Sequence, residues 1–358
     1  MFAKYRKMFR PHFIVLAMAS VILSLVLQNW LYLFLTPALS VVEISLSFDN
    51  AVVNALILKK LNAKWQRRFI KWGIWIGVLV VRFLLPVLLV ELTAHLGFFE
   101  VIQQAVTKPN QYANELDAAQ PILDMFAGVY LLQIALGFFL DESDTNWINF
   151  IEASGTWIGK LKTLKVIIPL AATLLIAHAS GSKQNTLLVA GALGIIVFLA
   201  VSGLAEMFEE VKTWQRFGPF FLFLYLEVQD ASFSFDGVSG AFALTTNIFA
   251  ITVALGIGAW IIRTLTVDFV QTKQLDKLPY LEHGAYYAII SLSGLMLLQE
   301  FVHINQTLRF ALGLVSVAFI VAAVVHSLIV GTEKELDEDD NNETNELTEG
   351  EPAPAQAV

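Results

Sequence analysis

The chain of 358 residues contains no cysteine. That excludes a disulfide framework, a thiolate metal site and a thiol redox centre. Charge is scarce as well: Asp, Glu, Lys and Arg together make up 15% of the residues, and histidine occurs six times. A soft-metal site built on sulfur or imidazole therefore has little to draw on, and nucleic acid is not an expected partner. What the sequence has instead is hydrocarbon, with 56% hydrophobic residues and a mean hydropathy of +0.65.

The apolar residues gather in runs long enough to cross about 30 Å of lipid, which takes about 20 residues of helix. A backbone in lipid must satisfy its own hydrogen bonds, and these runs lack the alternation of barrel strands. The expected fold class is all-α, a polytopic helical membrane protein whose partner is the lipid bilayer. Ten spans are expected, near 12–35, 37–58, 70–94, 121–140, 165–180, 186–204, 217–240, 244–268, 282–302 and 307–331. The expected organisation is an N-terminal span (1–36), a first repeat (37–140), linking spans (141–216), a second repeat with a C-terminal span (217–331) and an acidic tail (332–358). That tail is too poor in apolar residues to fold.

Basic residues orient the spans, because short cytoplasmic loops carry the excess of Lys and Arg. Lys4, Arg6, Lys7 and Arg10 precede the first span, and Lys59, Lys60, Lys64, Arg67, Arg68 and Lys71 separate the second from the third. Both segments are expected to face the cytoplasm, and with ten spans both termini do. External segments then hold only Lys108, Lys183 and Arg309, and two arginines, Arg82 and Arg263, remain inside the membrane.

Two acidic segments interrupt the hydrocarbon. "EISLSFDN" (43–50) and "DASFSFDG" (230–237) align at one constant offset: Glu43 with Asp230, Ser45 with Ser232, Ser47 with Ser234, Phe48 with Phe235, Asp49 with Asp236 and Asn50 with Gly237. Each is followed one helix later by a lone membrane arginine, and the two copies enter the membrane in opposite directions. Similar units of opposite orientation mark an inverted repeat whose binding site lies near the bilayer midplane. An ionisable residue there costs several kcal/mol, so function is its default reading. Arg82 and Arg263 are the charge-compensating candidates, paired in one reading with Asp49 and Asp236. Two arginines cannot neutralise four carboxylates together with Glu227, three residues before Asp230.

Residues six apart on a straight helix differ by about 120° and about 9 Å, too far for one ion to touch both Glu43 and Asp49. A bend is therefore expected, with Asn50, Gly237 and Gly240 as the residues that permit it. The serines offer further oxygens or bond back to their own helices. A set of carboxylate, amide and hydroxyl oxygens suits hard divalent ions, namely manganese, magnesium or calcium.

The segments "EISLSFDNAVV" and "LEVQDASFSFDGVSGAF", with the arginines that follow them, resemble the TerC family of bacterial integral membrane proteins. The resemblance implies a three-plus-three inverted-repeat core like that of LysE-type exporters, a place in the bacterial inner membrane and manganese efflux. It also implies that Glu43, Asp49, Asn50, Asp230 and Asp236 line the ion site. The expectation is a divalent-cation transporter working by alternating access, with Glu43, Asp49, Asp230 and Asp236 as metal ligands, Glu227 beside them, and protons as a coupling partner. No cofactor and no enzymatic activity are expected. Two other readings stand beside it: a metal-binding membrane scaffold without flux, and a membrane-embedded hydrolase using the Asp pair as acid and base. The hydrolase lacks support in a Gly-x-Gly-Asp segment, since Gly256-Ile257-Gly258 is followed by Ala259.

Overall fold

The computed structural model describes residues 2–140, 146–148, 150, 152, 163–210, 217–242, 244–272, 278–299, 301, 308, 312 and 315–330. The expected acidic tail lies outside them. Regular structure among the described residues is helical throughout: α1 (Phe2–Val26), α2 (Tyr32–Leu46), α3 (Phe48–Leu58), α4 (Ala63–Trp75), α5 (Leu85–Ala94), α6 (Phe98–Thr107), α7 (Pro109–Phe139), α8 (Leu164–Ala179), α9 (Gln184–Glu210), α10 (Gly218–Phe242), α11 (Ile248–Gln271), α12 (Leu281–Leu298) and α13 (Val315–Val330). The chain is an all-α, polytopic membrane protein.

Among the described residues six helices are long and apolar enough to cross a membrane, seven if the bent pair α2 and α3 forms one span. The expected ten is not reached on that standard. Helices do stand at the other expected positions, but α8 has 16 residues, α13 is also short, and α10 carries Glu227, Asp230 and Asp236. The connection expected at about 95–120 is itself helical, made of α6 and the first turns of α7, a helix of 31 residues. The amide of Gly97 donates to Glu100 Oε2 at 3.0 Å and closes the start of α6.

Between α4 and α5 the chain does not break but widens. Residues Ile76–Leu84 form a π-helical stretch, in which the Leu85 amide reaches back to the Val80 carbonyl. Pro86 follows directly. It brings no amide donor and its ring crowds the carbonyl four residues earlier, so the turn before it must loosen. Arg82 lies in this widened stretch.

The centre of the molecule is α11, which packs on α1, α2, α3, α4, the π-helical stretch and α10. In α11 72% of the best membrane-spanning window is buried, against 22% in α1. Phe13, Ile14, Met18, Val21, Ile22 and Leu25 on α1 stay exposed, as suits a face turned to lipid tails. The inner face of α1 docks on α11, with the His12 ring 4.0 Å from that of Trp260 and its Nε2 3.0 Å from Thr264 Oγ1. On the far side α7 joins α8, α9, α10 and α12. Small residues allow close approach there: a Cβ added at Gly194 would stand 2.6 Å from the Phe126 carbonyl oxygen.

Candidate ion site

Glu43, Arg82, Glu227, Asp230 and Arg263 are all buried, and all five converge where α2, the π-helical stretch, α10 and α11 meet. Arg82 Nη2 pairs with Glu43 Oε1 and donates to Ser234 Oγ at 3.1 Å, while its Nη1 donates to the Gly77 carbonyl at 2.7 Å. Arg263 grips Glu227 with two bonds of 2.9 Å and pairs with Asp230 Oδ2 through Nη2. Its guanidinium also lies 4.5 Å from the centre of the Phe69 ring. Each arginine thus takes the carboxylate that opens the acidic segment of its own half, Glu43 in one and Asp230 in the other.

The contacts between halves are exchanged in the same way. Asn50 Nδ2 donates to Asp230 Oδ1, with Asn54 Nδ2 3.4 Å away from the same oxygen. The aligned partner of Asn50 is Gly237, and the aligned partner of Asp230 is Glu43. That second pair also meets: a Cβ at Gly237 would stand 2.6 Å from Glu43 Oε2. Glycine brings no donor, and Glu43 Oε2 has no hydrogen-bond partner among the described residues, although Glu43 is 0% exposed.

Glycines make the room. Gly258 lies against the stem of Glu43, where an added Cβ would be 2.7 Å from both Cβ and Cγ. Gly73 lies under the Arg263 guanidinium and Glu227, and Gly77 borders both arginines. Ser47 supports Glu43 from within its own half, donating to Oε1 at 3.0 Å.

Residues 48–334 match the family model described as protein of unknown function (DUF475). The chain belongs to this family. No curated protein and no solved structure matches it. The resemblance to the TerC family is thereby corrected: the family that matches is DUF475. Two short acidic segments in apolar helices carried that resemblance, and buried acids beside small and hydroxyl residues are a pattern that membrane physics imposes on many chains. The DUF475 match begins at Phe48, so it takes in Asn50, both arginines and the whole second acidic segment, and starts just after Glu43.

Of the site residues expected from sequence, Glu43, Asn50, Glu227, Asp230, Arg82 and Arg263 come together. The side chains of Asp49 and Asp236 lie outside the described residues. Among the described residues no three His, Asp or Glu side chains are grouped to hold a metal ion.

The bend differs from expectation. It falls at Ser47 (φ −102°, ψ 11°), with the axes of 32–45 and 50–58 turned by 57°, and Asn50 lies inside α3. The second copy has no break, and α10 runs through Gly237 without interruption. There the glycine gives space to Glu43 instead of a hinge. Ser45 and Ser232 bond back to the carbonyls of Val41 and Val228, at 2.9 and 3.0 Å. The sequence reading missed Gly73, Gly77, Gly258 and Asn54. A signal existed for two of them, since "GVLVVR" (77–82) and "GAWIIR" (258–263) place a glycine five residues before each membrane arginine.

Proposed function

We propose that this protein transports a hard divalent cation across the membrane by alternating access, with the two acidic segments and their arginines as the moving site. One observation carries the reading: three buried carboxylates, Glu43, Glu227 and Asp230, meet two buried guanidiniums, Arg82 and Arg263. Among the described residues one formal negative charge is left over in a low-dielectric interior, and the sequence places two further acids close along the chain, Asp49 on α3 and Asp236 on α10. An uncompensated buried carboxylate is strongly unfavourable, and a cation is the simplest remedy.

In this reading the guanidiniums are stand-in counterions. A cation arriving at the centre takes the carboxylates from Arg82 and Arg263, and when it leaves the arginines return. The oxygen donors favour a hard ion, and manganese, magnesium and calcium belong to that class. The exchanged contacts between Asn50, Asp230, Gly237 and Glu43 support two halves that rock about one centre. The basic N-terminus and the 59–71 segment face the cytoplasm of a bacterial inner membrane.

A scaffold held by structural ion pairs is the second reading, favoured by the fact that each of the three carboxylates has a guanidinium on it. Proteoliposomes containing a metal-sensitive dye separate the two. Saturable manganese flux lost on Asp49→Asn or Asp236→Asn supports transport. A folded native protein that moves no manganese, magnesium or calcium leaves the scaffold.

A further inference from the structure

We infer that the two halves of the site are unequal: Glu43 is the carboxylate that receives the cation, through Oε2, and Asp230 is the fixed one. This deepens the transport reading and rests on it. The aligned positions are chemically alike, an acid at 43 and at 230, each with an arginine on it, yet the asparagine that faces Asp230 has a glycine as its counterpart beside Glu43. Asp230 has both oxygens engaged, Oδ1 by Asn50 and Oδ2 by Arg263. Glu43 has one oxygen engaged twice, Oε1 by Arg82 and Ser47, and the other not at all.

Burial makes this difference matter. A buried acceptor without a partner is destabilising, and more so when it is charged. The Glu43 stem packs on the bare backbone of α11, where a Cβ added at Gly258 would stand 2.7 Å from both its Cβ and its Cγ, and Oε1 is held by Arg82 and Ser47. Glu43 is pinned with a bare oxygen facing Gly237. Gly237 stands where the other half has the asparagine that satisfies Asp230, so no side-chain donor reaches Oε2 from this position, and Oε2 itself fills the place a side chain would take, 2.6 Å from an added Cβ. A positive ion supplies what that missing amide does not.

The test restores the symmetry. Gly237→Asn would put an amide donor beside Oε2, and Gly237→Ala would press a Cβ on Oε2 just as closely without offering a donor. Manganese binding to purified protein in detergent is followed by calorimetry, and by the infrared difference bands of carboxylates on adding the ion. Gly237→Asn is expected to lower manganese affinity at least tenfold and to unfold at a higher temperature than Gly237→Ala, whose Cβ meets Oε2 just as closely but brings no donor. Glu43→Gln is expected to abolish the carboxylate difference band. Asp230→Asn is expected to weaken binding less than Glu43→Gln and to keep a band.

The inference is overturned if manganese binds the native protein and Asp230→Asn removes the band while Glu43→Gln retains it, or if the two weaken binding equally. Undiminished affinity in folded Gly237→Asn also overturns it. A native protein that binds and moves no divalent ion overturns the transport reading itself.

Discussion

Arg82 and Arg263, from opposite halves of the chain, border one glycine: a side chain begun at Gly77 would meet Arg82 Nη1 at 3.4 Å and Arg263 Nη2 at 3.3 Å. Two like charges approach this closely in a buried place only because carboxylates flank both of them. Glu43 holds one from the side of α2, and Glu227 with Asp230 holds the other from α10. The centre is an alternating charge lattice whose spacing is fixed by missing side chains.

That dependence on glycine gives the first prediction. At Gly73 an added methyl would run into the Arg263 guanidinium and come within 2.5 Å of Glu227 Oε1. The clash falls on a two-bonded ion pair. Gly73→Ala is expected to destabilise the protein by about 3 kcal/mol, the upper end for overpacking. Gly77→Ala, with contacts only slightly too tight, is expected to cost about 1 kcal/mol. Thermal unfolding in detergent distinguishes them, and equal shifts would contradict the geometry.

Removing an arginine tests the charge balance. Arg263→Met leaves Glu227 and Asp230 buried without their cation, and breaking such a pair costs about 3–5 kcal/mol. Arg82→Met strands only Glu43 and is expected to cost less. Combining Arg263→Met with Glu227→Gln and Asp230→Asn removes the stranded charges and is expected to recover most of the loss. The triple variant unfolding as easily as Arg263→Met would show that charge is not what the arginine supplies.

Composition and run length made the helices and the membrane legible in the sequence, because lipid leaves a backbone no alternative to internal hydrogen bonds. The internal alignment made Glu43, Asp230 and the two arginines legible as one group. The pairing pattern was not. Which acid an arginine takes depends on helix rotation and on the reach of a long side chain, and Arg263 takes Glu227 and Asp230 together. The bend at Ser47 was hidden for a similar reason, since its hydroxyl serves Glu43 and glycine, the usual sign of a break, sits in the copy that stays straight. Ten spans could be drawn on the sequence, but short or acid-bearing helices do not show on length and apolarity alone how they cross.

Helix packing away from the site offers a control. Gly194 on α9 lies against the Phe126 carbonyl of α7, where a Cβ would approach to 2.6 Å. A backbone carbonyl in a helix cannot turn aside, so α7 and α9 must separate. Gly194→Ala is expected to lower stability by about 1–3 kcal/mol and to leave manganese binding in the folded fraction within twofold of native. An affinity loss as large as that of Glu43→Gln would mean that α9 acts on the ion site from a distance.

The absence of cysteine makes orientation directly measurable, because any thiol introduced is the only one in the chain. Lys64 is exposed at the start of α4, within the basic 59–71 segment, and Lys183 is exposed in the turn between α8 and α9. From the second of these positions back to the first, the chain passes through α8, α7, the short α6 and the long α4–α5 helix. An odd number of crossings separates them if α8, α7 and α4–α5 span and the 10-residue α6 does not. Lys64→Cys is then expected to react with a membrane-impermeant maleimide only in inside-out vesicles, and Lys183→Cys only in right-side-out ones. Labelling of both from one face would mean that the 16-residue α8 enters and leaves by the same side, which would turn α9 and everything after it the other way round.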